Sequence, residues 1–163
     1  MRAALVIATG SLLTAVATAQ EVRNWFGDPF FQVTADISNC PEPAGPRVTE
    51  AERREQSHRR AEKGTTCWLA KEPDCERNNA YSYDAEIAES IRSAVREREV
   101  FAGSSLWVTV QGRVVFVAGC AGPGLSETQI EEFMRAVPHV QQAIAAVSKG
   151  VTGKAPYRVF RSR

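Results

Sequence analysis

The sequence has little of what catalysis requires. Only two histidines, His58 and His139, occur among its 163 residues. It contains no serine nucleophile elbow, no paired-histidine zinc motif and no phosphate-binding loop. An enzyme needs several polar groups that converge on one site, so we expect a protein without catalytic residues, metal or cofactor.

An excess of charge of one sign is also absent. The 20 basic and 19 acidic residues leave a formal net charge of +1. The overall charge therefore does not indicate a nucleic-acid or membrane partner, and we expect no nucleic acid. A charged partner would have to be recognised by a local patch.

Long apolar runs are lacking as well. The apolar run at residues 3–17 is shorter than the about 20 residues that a membrane-spanning helix needs. Ala17 and Ala19, just before Gln20, match the small-x-small rule for signal peptidase. We therefore predict a signal peptide over residues 1–19, cleaved after Ala19, and a periplasmic or secreted protein. A retained anchor helix is the alternative.

The four cysteines, Cys40, Cys67, Cys75 and Cys120, include no Cys-x-x-Cys pair, which argues against a zinc site. In an exported chain an even number of cysteines predicts disulfides. Cys67 can pair with Cys75 across a short interval, which leaves Cys40 for Cys120. A bond between Cys75 and Cys120 is nearly as plausible, so the spacing leaves the pairing open.

Residues 20–80 are predicted to form a cysteine-containing arm with irregular and helical structure. Aromatic residues surround a Gly-Asp-Pro turn signal, and we interpret them as a loop that covers an apolar surface. Thr49 and Glu52 form a capping box for a charged helix near 50–63, with Gly64 as its stop. This helix has too little apolar surface to pack against the rest of the protein by hydrophobic burial alone. We therefore expect disulfides to tether it.

From residue 81 to about 148 the hydrophobic pattern becomes regular. Apolar residues first recur at helical spacing, and Ser82 or Asp84 can cap that helix. Two alternating stretches then predict strands joined by a tight turn at Gly112. Ser126 and Gln129 form a capping box for a second amphipathic helix, which ends at Pro138, and a third strand follows it.

This order of elements resembles the BON domain, a small module of bacterial envelope proteins. The matching segments are YDAEIAESIRSAV at 83–95, GRVVFVAG at 112–119 for the family's G-x-V-x-L-x-G hairpin, and AVPHV at 136–140 for its V-x-G-V. The resemblance covers residues 83 to about 148. It implies an α+β fold with two helices and a three-stranded sheet, in the order α-β-β-α-β, preceded by the disulfide-tethered arm.

Two features depart from the BON pattern. The interval between Gly112 and Gly119 is one residue longer than in the family, which suggests a bulge or a shifted strand end. His139 replaces the glycine that usually follows the proline, so the turn there has to use another geometry. The chain also holds one BON-like copy, whereas better-known members carry two.

A basic tail, residues 149–163, follows the BON-like segment. It has five cationic residues, interleaved with aromatic ones, and no acidic residue. Cations near an anionic lipid surface contribute about 1 kcal/mol each. An added edge strand at 157–160 is the alternative. The possible lipid or partner contacts are Lys149, Lys154, Tyr157, Arg158, Phe160, Arg161 and Arg163.

The resemblance implies a non-catalytic envelope binding module, because BON domains bind other molecules and are not enzymes. Its partner would be anionic phospholipid or an envelope protein. The alternative is a structural, protein-interaction component of an envelope assembly without lipid affinity. In that case the apolar second face of the sheet and the aromatics of the arm would form the interface. The sequence leaves the oligomeric state open.

Overall fold

The computed structural model describes residues 20–69, 75–151 and 154–161, and the predicted signal peptide lies outside them. In chain order the elements are β1 (Val22–Arg23), β2 (Phe30–Ala35), β3 (Val48–Thr49), α1 (Glu50–Leu69), α2 (Asp84–Arg98), β4 (Ser105–Gln111), β5 (Val114–Ala121), α3 (Glu127–Arg135) and β6 (Gln142–Lys149). A single 3₁₀ turn, Ala80–Tyr83, leads into α2. The protein is therefore α+β, as the sequence predicts.

The main sheet has four strands in the order β2-β4-β5-β6. The first three are antiparallel, and β6 runs parallel to β5. The prediction of a three-stranded sheet was wrong because the arm contributes β2. Phe31 and Val33 pack against the core from this strand, so part of the aromatic segment that we interpreted as a loop pairs with β4. β1 and β3 form a separate two-stranded ribbon.

One face of the main sheet, which we call the helix face, carries the hydrophobic core. α2 and α3 supply apolar residues at helical spacing, and the strands supply alternate residues. The buried side chains of this layer include Ile87, Ile91, Val95, Leu106, Val108, Val110, Val115, Val117, Ile130 and Met134. Full burial of such a side chain contributes about 1.5–3 kcal/mol.

The β4–β5 hairpin turns through Gly112 and Arg113, whose φ angles are 59° and 69°. Positive φ at both central residues is typical of a type I′ turn. The buried carboxylate of Asp84 accepts hydrogen bonds from both backbone amides, at 2.7 and 2.9 Å. Asp84 therefore does not cap α2, whose N-cap residue is Tyr83, and it joins the start of that helix to the hairpin instead. Burial raises the pKa of Asp84, and the two backbone hydrogen bonds oppose this shift.

The two departures from the BON pattern have different structural outcomes. The β4–β5 pairing is continuous, so the longer interval between Gly112 and Gly119 introduces no bulge there. The irregular pairing lies between β2 and β4, at Gln32 and Thr34. His139 has φ of 67°, so the histidine itself adopts a left-handed conformation, which is usually favoured by glycine.

Helix α1 begins as predicted but runs further. Glu52 accepts a hydrogen bond from the backbone amide of Thr49, and the Thr49 hydroxyl accepts one from the amide of Glu52, which completes the capping box. Gly64 was predicted to end this helix near residue 63, but α1 continues to Leu69. A side chain at Gly64 would meet Asn79 at 3.2 Å, so this glycine permits close packing of the following segment.

The disulfides join Cys40 to Cys120 and Cys67 to Cys75. The first attaches the arm to β5, and the second ties the end of α1 to the segment that follows it. The alternative bond between Cys75 and Cys120 is therefore wrong. Among residues 20–69, 75–151 and 154–161, none of the helices has the length and apolar character needed to span a bilayer.

The two disulfides should differ in their contribution to stability. Loop-closure entropy predicts about 4.5 kcal/mol for the Cys40–Cys120 bond and about 2.5 kcal/mol for the Cys67–Cys75 bond, because their sequence separations are 80 and 8. Urea unfolding of C40S/C120S and of C67S/C75S measures the difference. Equal losses of unfolding free energy in the two double variants would contradict the loop-closure explanation.

Asp84→Ala should destabilise the protein by about 2–4 kcal/mol, because two buried backbone amides of the hairpin lose their acceptor. Asp84→Asn keeps one acceptor oxygen and should therefore lose less unfolding free energy than Asp84→Ala. Chemical denaturation of both variants checks this order. A loss below about 1 kcal/mol for the alanine variant would show that water replaces the carboxylate.

Candidate functional site

The second face of the main sheet, opposite α2 and α3, is apolar and only partly covered. We call it the groove face. Residues directly opposite each other on paired strands share a face, and the register pairs Trp107 with Ala118 and Phe116 with Ile144. Phe116 and Ile144 are 37% and 39% exposed. Two large apolar side chains therefore lie side by side at the surface.

The arm and the tail together form one wall beside the groove face. Ala44 donates a backbone hydrogen bond to Arg158 at 2.7 Å, and Phe160 donates one to Glu42 at 2.8 Å. The Cys40–Cys120 disulfide attaches the start of this wall to β5. We call residues 40–47 and 157–160 the arm–tail wall.

Helix α1 forms a second wall. Gln56, Arg59, Arg60 and Lys63 line the space between this helix and the groove face. They recur at i, i+3, i+4 and i+7, which places them on one side of a helix. The polar side of α1 therefore faces an apolar sheet across an open space.

A buried ion pair holds α1 in this position. The carboxylate of Asp28, 5% exposed, accepts hydrogen bonds from Arg60 at 3.0 and 2.5 Å. Gln111 of β4 donates to the same carboxylate at 2.6 Å. The Arg60 guanidinium also lies over the rings of Phe26 and Tyr81, at 3.9 and 4.4 Å. One carboxylate thus links the arm, α1 and the sheet.

The space between the walls consists of two neighbouring cavities that share five lining residues, Gly45, Pro46, Gln111, Phe116 and Arg158. The slot, about 260 Å³, lies over the groove face and is lined by Phe30, Pro43, Gly45, Pro46, Trp107, Thr109, Gln111, Phe116, Val117, Ala118, Ile144, Ala146, Tyr157 and Arg158. The mouth, about 450 Å³, lies under α1 and adds Val48, Gln56, Arg59, Arg60, Lys63, Tyr81 and Val114. None of the described residues that line either cavity is Asp or Glu.

Four cationic residues therefore lie at the mouth, and they are held differently. Arg60 is paired with Asp28, and Lys63 donates to the side-chain oxygen of Gln141. Arg158 forms an ion pair with Glu52 at 2.9 Å. The Thr49 amide and then Arg158 hold the pKa of Glu52 below its usual range, so this partner is ionised at neutral pH.

The side chain of Tyr157, which lines the slot, bonds to the arm through its hydroxyl. It donates to the backbone carbonyl of Pro41 at 2.8 Å. Burial raises the pKa of Tyr157, which keeps this hydroxyl protonated and able to donate. The tail is therefore held against the arm by side chain as well as backbone.

The predicted tail contacts do not form one patch. Tyr157, Arg158 and Phe160 contact the arm, and the guanidinium of Arg47 lies 3.7 Å from the ring centroid of Phe160. Lys149 ends β6 beside a different cavity, and Lys154 and Arg161 are exposed. Arg163 lies outside the described residues. The predicted edge strand at 157–160 reduces to an isolated bridge between Val159 and Pro43.

Sequence reasoning missed the cations of α1 and the exposed pair on the sheet. The spacing of Arg59, Arg60 and Lys63 is visible in the sequence, but nearly every neighbour on that helix is charged too, so no side of α1 stands out. Phe116 and Ile144 belong to strands that are separated by a helix. Their adjacency depends on the parallel pairing of β5 and β6.

The two histidines make their contacts away from the groove. His58 and His139 lie near Glu62 and Glu86, at 3.2 and 3.6 Å, and neither lines the groove. Within the part of the chain that the structure describes, no cluster of three metal-ligating side chains occurs. The apolar groove face beside the cations of the mouth can bind a molecule that has an apolar part and an anionic group.

Comparison of this chain with protein-family models, with curated proteins and with solved structures finds no match.

Asp28→Ala should destabilise the protein by about 3 kcal/mol or more, because the Arg60 guanidinium stays largely buried without its carboxylate. Glu89→Ala is the matched control, since it removes an exposed ion pair with Arg92 and should cost below about 1 kcal/mol. Urea unfolding compares the two. If both variants lost a similar, small amount of unfolding free energy, Asp28 would not be what holds α1 in place.

Proposed function

We propose that this protein is a non-catalytic, exported binding module that attaches to anionic phospholipid of the cell envelope. The observation that supports this proposal is the groove itself: four cationic residues border an apolar cavity, and no acidic residue of the described chain lines it. A phospholipid complements both features, because its anionic phosphate can pair with the cationic residues and its apolar chains can contact the apolar cavity.

We also propose that residues 81–148 are related to the BON domain. The succession of α2, β4, β5, α3 and β6 supports this relationship, because it repeats the element order that the resemblance implies. The two disulfides support export, because such bonds persist in oxidising compartments.

The cations at the mouth would provide the attachment. Arg59 is exposed on α1, and a guanidinium can bind a phosphate through two hydrogen bonds. Each cation near an anionic lipid surface contributes about 1 kcal/mol, and salt screens this attraction. Lys154 and Arg161 of the tail would add to the same long-range attraction.

A second candidate function is protein interaction without lipid affinity. The side-by-side exposure of Phe116 and Ile144 favours it, because an apolar pair at the surface suits a protein interface as well. An interface of this kind would depend little on ionic strength.

Sedimentation with liposomes tests the lipid proposal. The oxidised protein should pellet with anionic vesicles at low salt, and about 0.5 M salt should release it because the Debye length becomes very short. Neutral vesicles should bind it weakly. Arg59→Gln with Lys63→Gln should weaken anionic binding by roughly 10- to 30-fold, from about 1 kcal/mol per charge.

The matched control is Arg96→Gln with Arg98→Gln, which removes two exposed cations from the last turn of α2, outside the groove. This variant should bind like the unmodified protein. If both double variants lost liposome binding equally, the protein would bind by general electrostatic adsorption and not through the groove. Failure of the unmodified protein to pellet under every condition would make the lipid proposal wrong and favour protein interaction.

A further inference from the structure

We propose that the slot and the mouth together bind one molecule, a single-chain amphiphile with a phosphate head group. The apolar chain would lie in the slot against the groove face, and the phosphate would contact the cations at the mouth. This inference rests on the proposed function, because it assigns the lipid that the same site would take.

The size of the slot limits the ligand to one short chain segment. An apolar cavity of about 150 Å³ accepts benzene. By that comparison, the slot of about 260 Å³ has room for roughly ten carbon atoms. One acyl or alkyl chain therefore fills it, and the second chain of a diacyl phospholipid has to stay outside.

The lining of the slot suits a chain rather than a polar ligand. Trp107, Phe116 and Ile144 form its floor, and Phe30 and Pro43 belong to the strand and wall beside it. Phe116 and Ile144 keep more than a third of their surface exposed. An inserted chain would remove this apolar surface from water, which is the source of hydrophobic binding energy.

Charge complementarity selects the head group. The slot and the mouth are neighbours, because they share lining residues, among them Gln111, Phe116 and Arg158. A chain that lies in the slot therefore places its head within the region of Arg59, Arg60 and Lys63. A phosphate suits this region better than a cationic or neutral head, because no acidic side chain of the described residues lines it.

Binding of alkyl phosphates of increasing length, below their micelle concentrations, tests the inference. Isothermal titration should show affinity rising about fourfold for each added methylene, from hexyl to decyl phosphate. Dodecyl phosphate should add little, because roughly ten carbons fill the slot. Decyltrimethylammonium and inorganic phosphate, which lack the head and the chain respectively, should each bind at least tenfold more weakly than decyl phosphate.

Methyl NMR locates the chain. Decyl phosphate should shift the methyl resonances of Ile144, which lines the slot, and leave Met134 unchanged, because Met134 is buried on the helix face. Equal shifts at both residues would indicate a change of the whole fold. Shifts at neither residue would place the ligand elsewhere and overturn the inference.

Filling the slot provides a test by mutation. Ala146→Leu adds side-chain volume to the slot lining and should weaken decyl phosphate binding by tenfold or more. Gln142→Leu is the control, because Gln142 is exposed on the same strand, four residues away, and does not line the slot. Ala118→Leu serves as a second filling variant if Ala146→Leu unfolds.

These results separate the inference from the proposed function. If the protein pelleted with liposomes but bound alkyl phosphates with an affinity independent of chain length, membrane attachment would be retained. The slot would then be rejected as the binding site for a chain. Equal binding of decyltrimethylammonium and decyl phosphate would reject the role of the cations. Chain-length-dependent binding of alkyl phosphates by a protein that does not pellet with liposomes would support the slot and reject membrane attachment.

Discussion

The buried carboxylate of Asp28 determines where the charged helix α1 lies. Removing charges from water costs several kcal/mol, and this cost is offset only when geometry and the remaining hydrogen bonds are good. Here Arg60 contributes two hydrogen bonds and Gln111 a third, so the arm, α1 and β4 meet at one carboxylate. Because α1 has little apolar surface to bury, this polar contact holds the middle of the helix, while the buried Cys67 and its disulfide hold its end.

The groove is a consequence of that mode of docking. The sheet carries apolar residues on both faces, and amphipathic helices cover most of one of them. The other is flanked by a polar helix and by a proline-containing segment that the Cys40–Cys120 disulfide anchors. Neither wall supplies enough apolar side chains to fill the space, so Phe116 and Ile144 stay partly exposed below cationic residues. An amphiphilic ligand complements this combination of surfaces.

Sequence patterns predicted the amphipathic elements well and the polar contacts poorly. Ser126 and Gln129 form the expected capping box of α3, because the contact is local. Asp84 was interpreted as a helix cap, whereas its carboxylate binds the hairpin turn, 28 residues further along the chain. β2 was missed because aromatic residues next to a turn signal are typical of a loop. Tyr157 and Arg158, which line the slot, were among the predicted contacts, but the contribution of α1 to the site was not predicted.

The sequence by itself determined the α+β class, the two capping boxes and the position of the tight turn at Gly112, because each depends on residues close together in the chain. Only the tertiary structure decided the cysteine pairing, the second wall of the groove and the meeting of Arg59 with Phe116 at one cavity. These contacts join segments that lie far apart in sequence. Their formation depends on how whole elements pack, and no local spacing of residues specifies that packing.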